Sequence, residues 1–180
     1  NVSAAFSPDG GRVAMVLSKD GNPEIYIMSS NGSNLQRLTN SKSIDESPIF
    51  SPDGQKIVFV SSRGGSAQVY EMDLATKKTT RLTTQGSYNT SPDWSPDGRK
   101  IAYTHVIKNR GQIFVLDRST LEIESIVEGE DPAWAVNSRH LAYMGYKNGK
   151  KQIFVIDVVT KVSRQITQSN QNSLTPSWFL

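Results

Sequence analysis

The sequence predicts an all-β fold made of β-propeller blades, each of four antiparallel strands, with four blades in 180 residues. Three observations carry this. Ser-Pro-Asp-Gly stands at 7–10, 51–54 and 95–98, each time 44 residues after the last. A turn recurring at that period marks one supersecondary unit copied in tandem. Other positions keep the same step. Phe6, Phe50, Trp94, Trp134 and Trp178 succeed one another by 44, 44, 40 and 44 residues, and Tyr26, Tyr70, Phe114 and Phe154 by 44, 44 and 40. Finally, each copy reads as short strands, and nowhere do ten residues keep a helical period, which sets aside the helical solenoids of similar repeat length.

The second copy shows the elements in order. Residues 47–51 form strand A and lead into Pro52-Asp53-Gly54, where proline presets the turn, aspartate bonds its own backbone and glycine accepts a positive φ. Residues 56–61 (Lys-Ile-Val-Phe-Val-Ser) make an apolar strand B, and Arg63-Gly64-Gly65 a hairpin. In 68–73, strand C, Val69, Glu71 and Asp73 alternate with Tyr70, Met72 and Leu74, and residues 79–83 make strand D. The blades cover approximately 1–40, 41–84, 85–128 and 129–168. In the fourth, Ala135-Val136-Asn137-Ser138 replaces the turn motif, although 139–143 still parallels 99–103. Thr83 to Trp94 spans 11 residues and Val127 to Trp134 only 7, so the fourth blade's shortfall lies in 128–133. Residues 173–180, ending Pro176-Ser177-Trp178-Phe179-Leu180, match a further strand A. This predicts a closing strand for a blade whose other strands precede Asn1, and hence the C-terminal part of a larger propeller, six-bladed by the resemblance below; the alternative is a closed four-bladed ring with a frayed tail.

Composition narrows the function. No 18-residue apolar run offers a helical membrane span, and the absence of cysteine excludes disulfides and thiol chemistry. The net charge of +3 is spread along the chain, with basic clusters only at Lys77-Lys78 and Lys147–Lys151, and no aromatic–basic interleaving suggests nucleic acid. His105 and His140 stand alone, and His-Glu-x-x-His and Gly-x-Ser-x-Gly are absent. Asp9, Asp53 and Asp97 belong to separate turns. No catalytic residue, metal ligand or cofactor is expected.

Phe-Ser-Pro-Asp-Gly, the Ile/Val-Tyr/Phe-x-Met/Leu-Asp strand, Arg-Leu-Thr and the terminal Pro176-Ser177-Trp178-Phe179-Leu180 together resemble the propeller of the TolB family, over the last four of six blades. The resemblance implies a non-enzymatic periplasmic scaffold of the Tol–Pal system, serving outer-membrane integrity and cell division. It implies docking of a Pal-like peptidoglycan-associated lipoprotein on one propeller face, with other Tol proteins reached through an N-terminal region. The D–A connections, at 40–46, 84–90, 128–131 and 168–175, are then the contact rim. Asp45, Glu46, Tyr88, Asn89, Thr90, Asn172 and Ser173 are the candidate partner-binding residues, polar and aromatic groups on a rigid frame. The alternative is the regulatory propeller of a prolyl-oligopeptidase-like serine peptidase, which predicts an α/β-hydrolase segment after Leu180. An open four-blade arc is also expected to self-associate through its exposed sheet flanks.

Overall fold

The computed structural model describes residues 3–178. Among these there is no helix, and sixteen strands form four antiparallel four-stranded meanders. The chain divides after Pro92 into two compact units.

The first unit contains the sheet β1 (Ala4–Phe6), β2 (Arg12–Leu17), β3 (Glu24–Ser29) and β4 (Gln36–Arg37). Its second sheet is β5 (Asp45–Phe50), β6 (Lys56–Ser61), β7 (Gln68–Asp73) and β8 (Thr79–Arg81). Neither sheet buries its apolar face alone. Ala14, Val16, Ile25 and Ile27 of one pack into Phe50, Ile57, Phe59, Tyr70 and Met72 of the other. Phe50 is 4% exposed because a preceding sheet receives it, whereas Phe6, at the same place in β1, is 68% exposed. Covering a ring of that size stabilises by roughly 2–3 kcal/mol.

The second unit repeats the plan. Strand β9 (Asn89–Trp94) enters it, followed by β10 (Lys100–Ile107), β11 (Arg110–Asp117) and β12 (Ile123–Glu128), then β13 (Glu130–Trp134), β14 (His140–Lys147), β15 (Lys150–Asp157) and β16 (Ser163–Gln165). Ala102, Ile113 and Val115 meet Trp134, Leu141, Tyr143, Ile156 and Val158.

The repeated turns explain themselves chemically. Ser51 Oγ donates to Asp53 Oδ1 (2.5 Å) and accepts from Lys56 N–H (2.9 Å), while Gln55 N–H donates to Asp53 (3.0 Å). The Ser51 hydroxyl, then the Gln55 amide, hold the Asp53 carboxyl below its usual range. Gly54 sits at φ 67°, as such a turn demands. The degenerate fourth turn keeps the geometry by other means. Asn137 Oδ1 accepts from Arg139 and His140 N–H (3.0 and 3.1 Å), and Ser138 takes φ 54° in place of glycine.

Two local features of the last two blades have physical causes. Strands B and C of the last two blades run eight residues, so His105 lies inside β10 with its ring edge-on to Phe114. Lys147 and Lys150 pair within β14 and β15, leaving only Asn148-Gly149 as the turn. Lys108-Asn109 and Asn148-Gly149 have positive φ at both residues, the two-residue hairpin whose twist matches its strands and lets the ladder continue to the tip.

Blade four is joined to blade three at close range. A Cβ on Gly129 would stand 2.5 Å from Tyr143 Cδ2 and 2.8 Å from Met144 O. Gly129→Ala is therefore expected to cost about 3 kcal/mol, because a backbone carbonyl cannot yield as a flexible side chain can. Urea unfolding measures it, and a loss under about 0.5 kcal/mol would contradict the packing described.

Candidate partner-binding rim

Each connection from strand D to the next strand A, the third excepted, is anchored by one repeated device. Thr39 Oγ1 accepts from Ile25 N–H (2.9 Å), Thr83 Oγ1 from Val69 N–H (2.9 Å) and Thr167 Oγ1 from Ile153 N–H (2.8 Å). The same hydroxyls donate to the first residue of strand C or its counterpart, namely Glu24 Oε2 (2.5 Å), Gln68 Oε1 (2.7 Å) and Gln152 Oε1 (2.9 Å). Arg37 and Arg81 close the clasp by donating Nε–H to Thr39 O (2.7 Å) and Thr83 O (2.6 Å), and Gln165 donates to Thr167 O (2.7 Å).

The buried amides then hold the connection itself. Gln68 Nε2 donates to Gly86 O (3.0 Å), and Gln152 Nε2 to Ser169 O (3.0 Å) and Gln171 O (2.9 Å). Glu24 has no amide to donate, and Asn22 supplies one. Its Nδ2 donates to Ser43 O (2.6 Å), Ser41 O (3.1 Å) and Glu24 Oε1 (3.2 Å), while Ser41 N–H donates to Glu24 Oε1 (2.8 Å). A Glu–Asn pair thus does in blade one what a single glutamine does in blades two and four.

The third blade departs from this. Val127 stands where the threonines stand, and no hydroxyl competes for the backbone. Strand β12 therefore continues for six residues and pairs Gln112 with Glu128, after a register shift at Ile113/Phe114. Gln112 turns to Ser125 Oγ (2.9 Å) instead of a connection. Where no such ladder compensates, Thr83→Val is expected to cost about 2 kcal/mol by orphaning the buried Val69 N–H. Thermal and urea melts at one pH test this, and Thr83→Ser, which keeps the hydroxyl, should lose far less.

The seven candidate residues fall into three groups. Asp45 and Asn89 begin β5 and β9 and are wholly buried. Glu46 and Thr90 come next and are half-buried, because strand A starts two residues earlier than the turn spacing implies. Tyr88 (47% exposed) and Asn172 face solvent, and Ser173 is half-buried.

Asp45 and Asn89 occupy equivalent slots with different chemistry. Asn89 Nδ2 donates to Gln68 Oε1 (2.8 Å) and Gln85 O (2.9 Å), a neutral junction. One blade earlier the same two slots hold carboxyls, Asp45 and Glu24, both fully buried. Asp45 Oδ2 accepts from Arg63 Nη2 (2.8 Å), and Asp45 Oδ1 is buried with no hydrogen-bond partner. Burial pushes the Asp45 carboxyl up, against Ser61, Arg63 and Thr39, and the negative charge of Glu24 adds to the rise. Burial also pushes Glu24 up, but bonds from Thr39, Ser41, Arg37 and Asn22 outweigh it and hold that carboxyl below its ordinary value.

Strand A carries a second repeated feature that sequence reasoning missed. Ser47, Ser91, Asp131 and Thr175 have φ of 54°, 50°, 52° and 49°, and each precedes a proline. The left-handed residue makes a bulge, seen as register shifts between Glu46 and Ile49 and between Glu130 and Ala133. The N–H two residues before it enters the previous hairpin: Asp45 to Pro23 O (3.0 Å), Asn89 to Ala67 O (2.9 Å), Gly129 to Gly111 O (2.9 Å) and Ser173 to Lys151 O (2.9 Å). Residues 173–178 thus have the backbone start of strand A without forming a strand, and Trp178 Nε1 donates to Ala133 O (3.0 Å). Phe179 and Leu180 lie outside the described residues. The Ser/Asp/Thr-Pro dipeptides and the Glu24, Gln68, Gln112, Gln152 series keep the repeat's step, so both were visible signals.

Comparison with known proteins agrees with this architecture. The family model described as TolB beta propeller domain matches residues 1–179. The Tol-Pal system protein TolB of Geobacter sulfurreducens is 46% identical over 41 residues, 23% of this chain and 10% of that protein. The crystal structure of TolB from Acinetobacter baumannii superimposes with a TM-score of 0.89 at 29% identity, covering 99% of this chain and 46% of that one. A puromycin-hydrolysing peptidase of Mycobacterium tuberculosis shares the fold alone, at 18% identity and a TM-score of 0.70, over 92% of this chain and 28% of that one. The chain thus spans under half of the TolB structure and about a tenth of the curated TolB protein it matches. With the family model covering nearly every residue, the chain belongs to the TolB β-propeller domain family.

Proposed function

We propose that this chain is the protein-docking part of a non-enzymatic Tol–Pal scaffold acting in the periplasm. The single observation that carries the reading is the family match over residues 1–179. In this reading the whole protein has six blades, and residues 173–180 complete strand A of a blade formed mainly by earlier residues. The strand-A-like backbone of Ser173 and Thr175 supports that assignment. The exposed Phe6 makes self-association the expected behaviour of the isolated chain, to be read by light scattering.

The proposed partner is a peptidoglycan-associated lipoprotein, met by the D–A connections. Glu46, Tyr88 and Thr90 in the first unit, and Asn172 and Ser173 in the second, are the proposed contact residues, each unit taken by itself. Asp45 and Asn89 act from beneath, since their buried side chains fix the backbone on which Glu46 and Thr90 stand. The clasped connections need no ordering on binding, which favours affinity. Titration of the full-length protein with the soluble domain of a Pal-like lipoprotein tests the proposal. Glu46→Lys with Tyr88→Ala should weaken binding about tenfold. A full-length protein that binds no such lipoprotein removes the reading.

A further inference from the structure

Strand D is the outer edge of every blade, and that of the third blade differs from the rest. Strands β4, β8 and β16 have two, three and three residues, whereas β12 has six. A short edge strand leaves few unpaired backbone groups for another chain to join, so β12 presents the edge that the others withhold. Its length follows from Val127 standing where the clasp threonines stand, which lets the ladder run on to Glu128. β12 ends its sheet, bonded to β11 on one side and to no strand on the other among the described residues.

Two backbone bonds fix which groups of β12 face outward. Asp117 N–H donates to Glu122 O and Gly129 N–H donates to Gly111 O, both at 2.9 Å. Antiparallel pairs alternate between bonded and non-bonded, so Leu116–Ile123, Phe114–Ser125 and Gln112–Glu128 are non-bonded pairs. The N–H and C=O of Ile123, Ser125 and Glu128 therefore point away from β11. The register shift at Ile113/Phe114 places one extra residue, Ile126, between the second and third of them. It offsets the edge without closing it.

This edge is acidic. From Leu121 to Asp131 the chain carries Glu122, Glu124, Glu128, Glu130 and Asp131 and no lysine or arginine, although the net charge of the whole is +3. Glu124 pairs with Lys161 (2.8 Å) and Glu128 with Arg110 (3.7 Å), but the two carboxylate side chains stay 64% and 60% exposed. Pairs so open to water add little and exchange readily for other cations. We propose that β12 takes up an extended basic segment of a partner protein as a fifth strand. The backbone of that segment bonds to Ile123, Ser125 and Glu128, and its lysines or arginines meet Glu124 and Glu128. A second copy of the chain suits the edge less well, because β12–β12 pairing would bring two acidic edges together.

The test titrates the 180-residue chain with a fluorescein-labelled peptide of alternating lysine and valine. Two controls run in parallel: the same peptide with proline at every second valine, and a peptide of alternating glutamate and valine. Saturable binding of the lysine peptide alone is expected, weakened about tenfold by Glu124→Lys with Glu128→Lys. Ser125→Pro, which removes one outward N–H at a position where an edge strand tolerates proline, should weaken it by a similar factor of about ten. Circular dichroism confirms that each variant folds. In the native protein, amide exchange followed by NMR should slow at Ile123, Ser125 and Glu128 on peptide binding, a readout that needs no variant. Equal binding of the proline-bearing peptide would reduce the effect to charge alone and overturn the proposal. So would an absence of saturation, or protection confined to other strands. Self-association by light scattering that Ser125→Pro abolishes would make a second copy the occupant and overturn it too. The lipoprotein titration above does not involve β12, so either reading can fail while the other stands.

Discussion

Replacing Arg63 with methionine is expected to destabilise the protein by about 3 kcal/mol at pH 7.5, a loss that shrinks markedly at pH 5. Removing one partner of a buried ion pair strands the other charge, at a typical cost of about 3–5 kcal/mol. Here the stranded group is Asp45, wholly buried, whose ion-pair partner is Arg63 Nη2 at 2.8 Å. The lower end of the range applies because the Arg63 side chain keeps 28% of its surface, through which water can reach the pair. Methionine retains the apolar stem but not the guanidinium, which lies over both Phe59 (5.3 Å) and Tyr70 (5.1 Å). The pH dependence comes from the carboxyl that remains. Its pKa is already raised by burial, and removal of Arg63 raises it further. A group that holds its proton more tightly when folded stabilises the fold at low pH and loses that stabilisation as pH rises toward the folded pKa. Adding Asp45→Asn to Arg63→Met should recover most of the loss at pH 7.5, since the equivalent junction already works with Asn89 donating to Gln68. Urea unfolding of the single and double variants at both pH values decides the matter. Equal stability of the two at pH 7.5 would show that Asp45 is not the stranded charge.

Asp93→Asn is expected to be more stable than the native protein by about 2 kcal/mol at pH 8 and to match it closely near pH 4. Asp93 Oδ2 accepts from the backbone N–H of Trp134 (2.6 Å), joining one strand A to the next within the second unit. Burial drives its carboxyl from an ordinary 3.8 to about 7, against the bonds from the Trp134 and Trp94 amides. The folded state therefore binds this proton more tightly than the unfolded chain. Its stabilisation is complete below pH 4 and is lost as pH climbs from about 4 to 7, by at most about 1.4 kcal/mol per pH unit. The residue keeps some solvent-accessible surface, so half of that ceiling is the expected loss. Asparagine retains an oxygen for Trp134 and carries no charge. An offset between variant and native protein that is the same at pH 4 and pH 8 would exclude the carboxylate as its cause.

Both effects arise where a repeated neutral slot has been filled by an acid. The position of Asp93 is held by Ile49 in the second blade and Ala133 in the fourth, and that of Asp45 by Asn89 in the third and Gly129 in the fourth. A repeat protein offers internal controls for each departure. Blade three carries Val127 in place of the clasp threonine, and its strand D lengthens. Blade four carries Ser138 in place of the turn glycine, and the turn persists. In each case the backbone geometry survives by recruiting a different donor or by tolerating a positive φ.

The contact rim was legible only in outline. Spacing located the four connections and singled out the third as short, because a deletion within a fixed period can be counted. Spacing alone did not reveal that Asp45 and Asn89 point inward. That depends on the bulge at Ser47 and Ser91, which rotates the start of strand A. Nor did it mark Arg110, Glu128 and Tyr146 as neighbours, since they meet only when two hairpins 40 residues apart are brought side by side.

Strand order, turn chemistry and the aromatic series arise from the sequence by itself, because each depends on contacts among residues close along the chain and recurs every 40–44 positions. The tertiary structure alone decided which polar groups are buried, which carboxyls are strained by burial and where the surface opens. Those properties are set by the sheet that packs against each blade, and a local pattern carries no record of its neighbour.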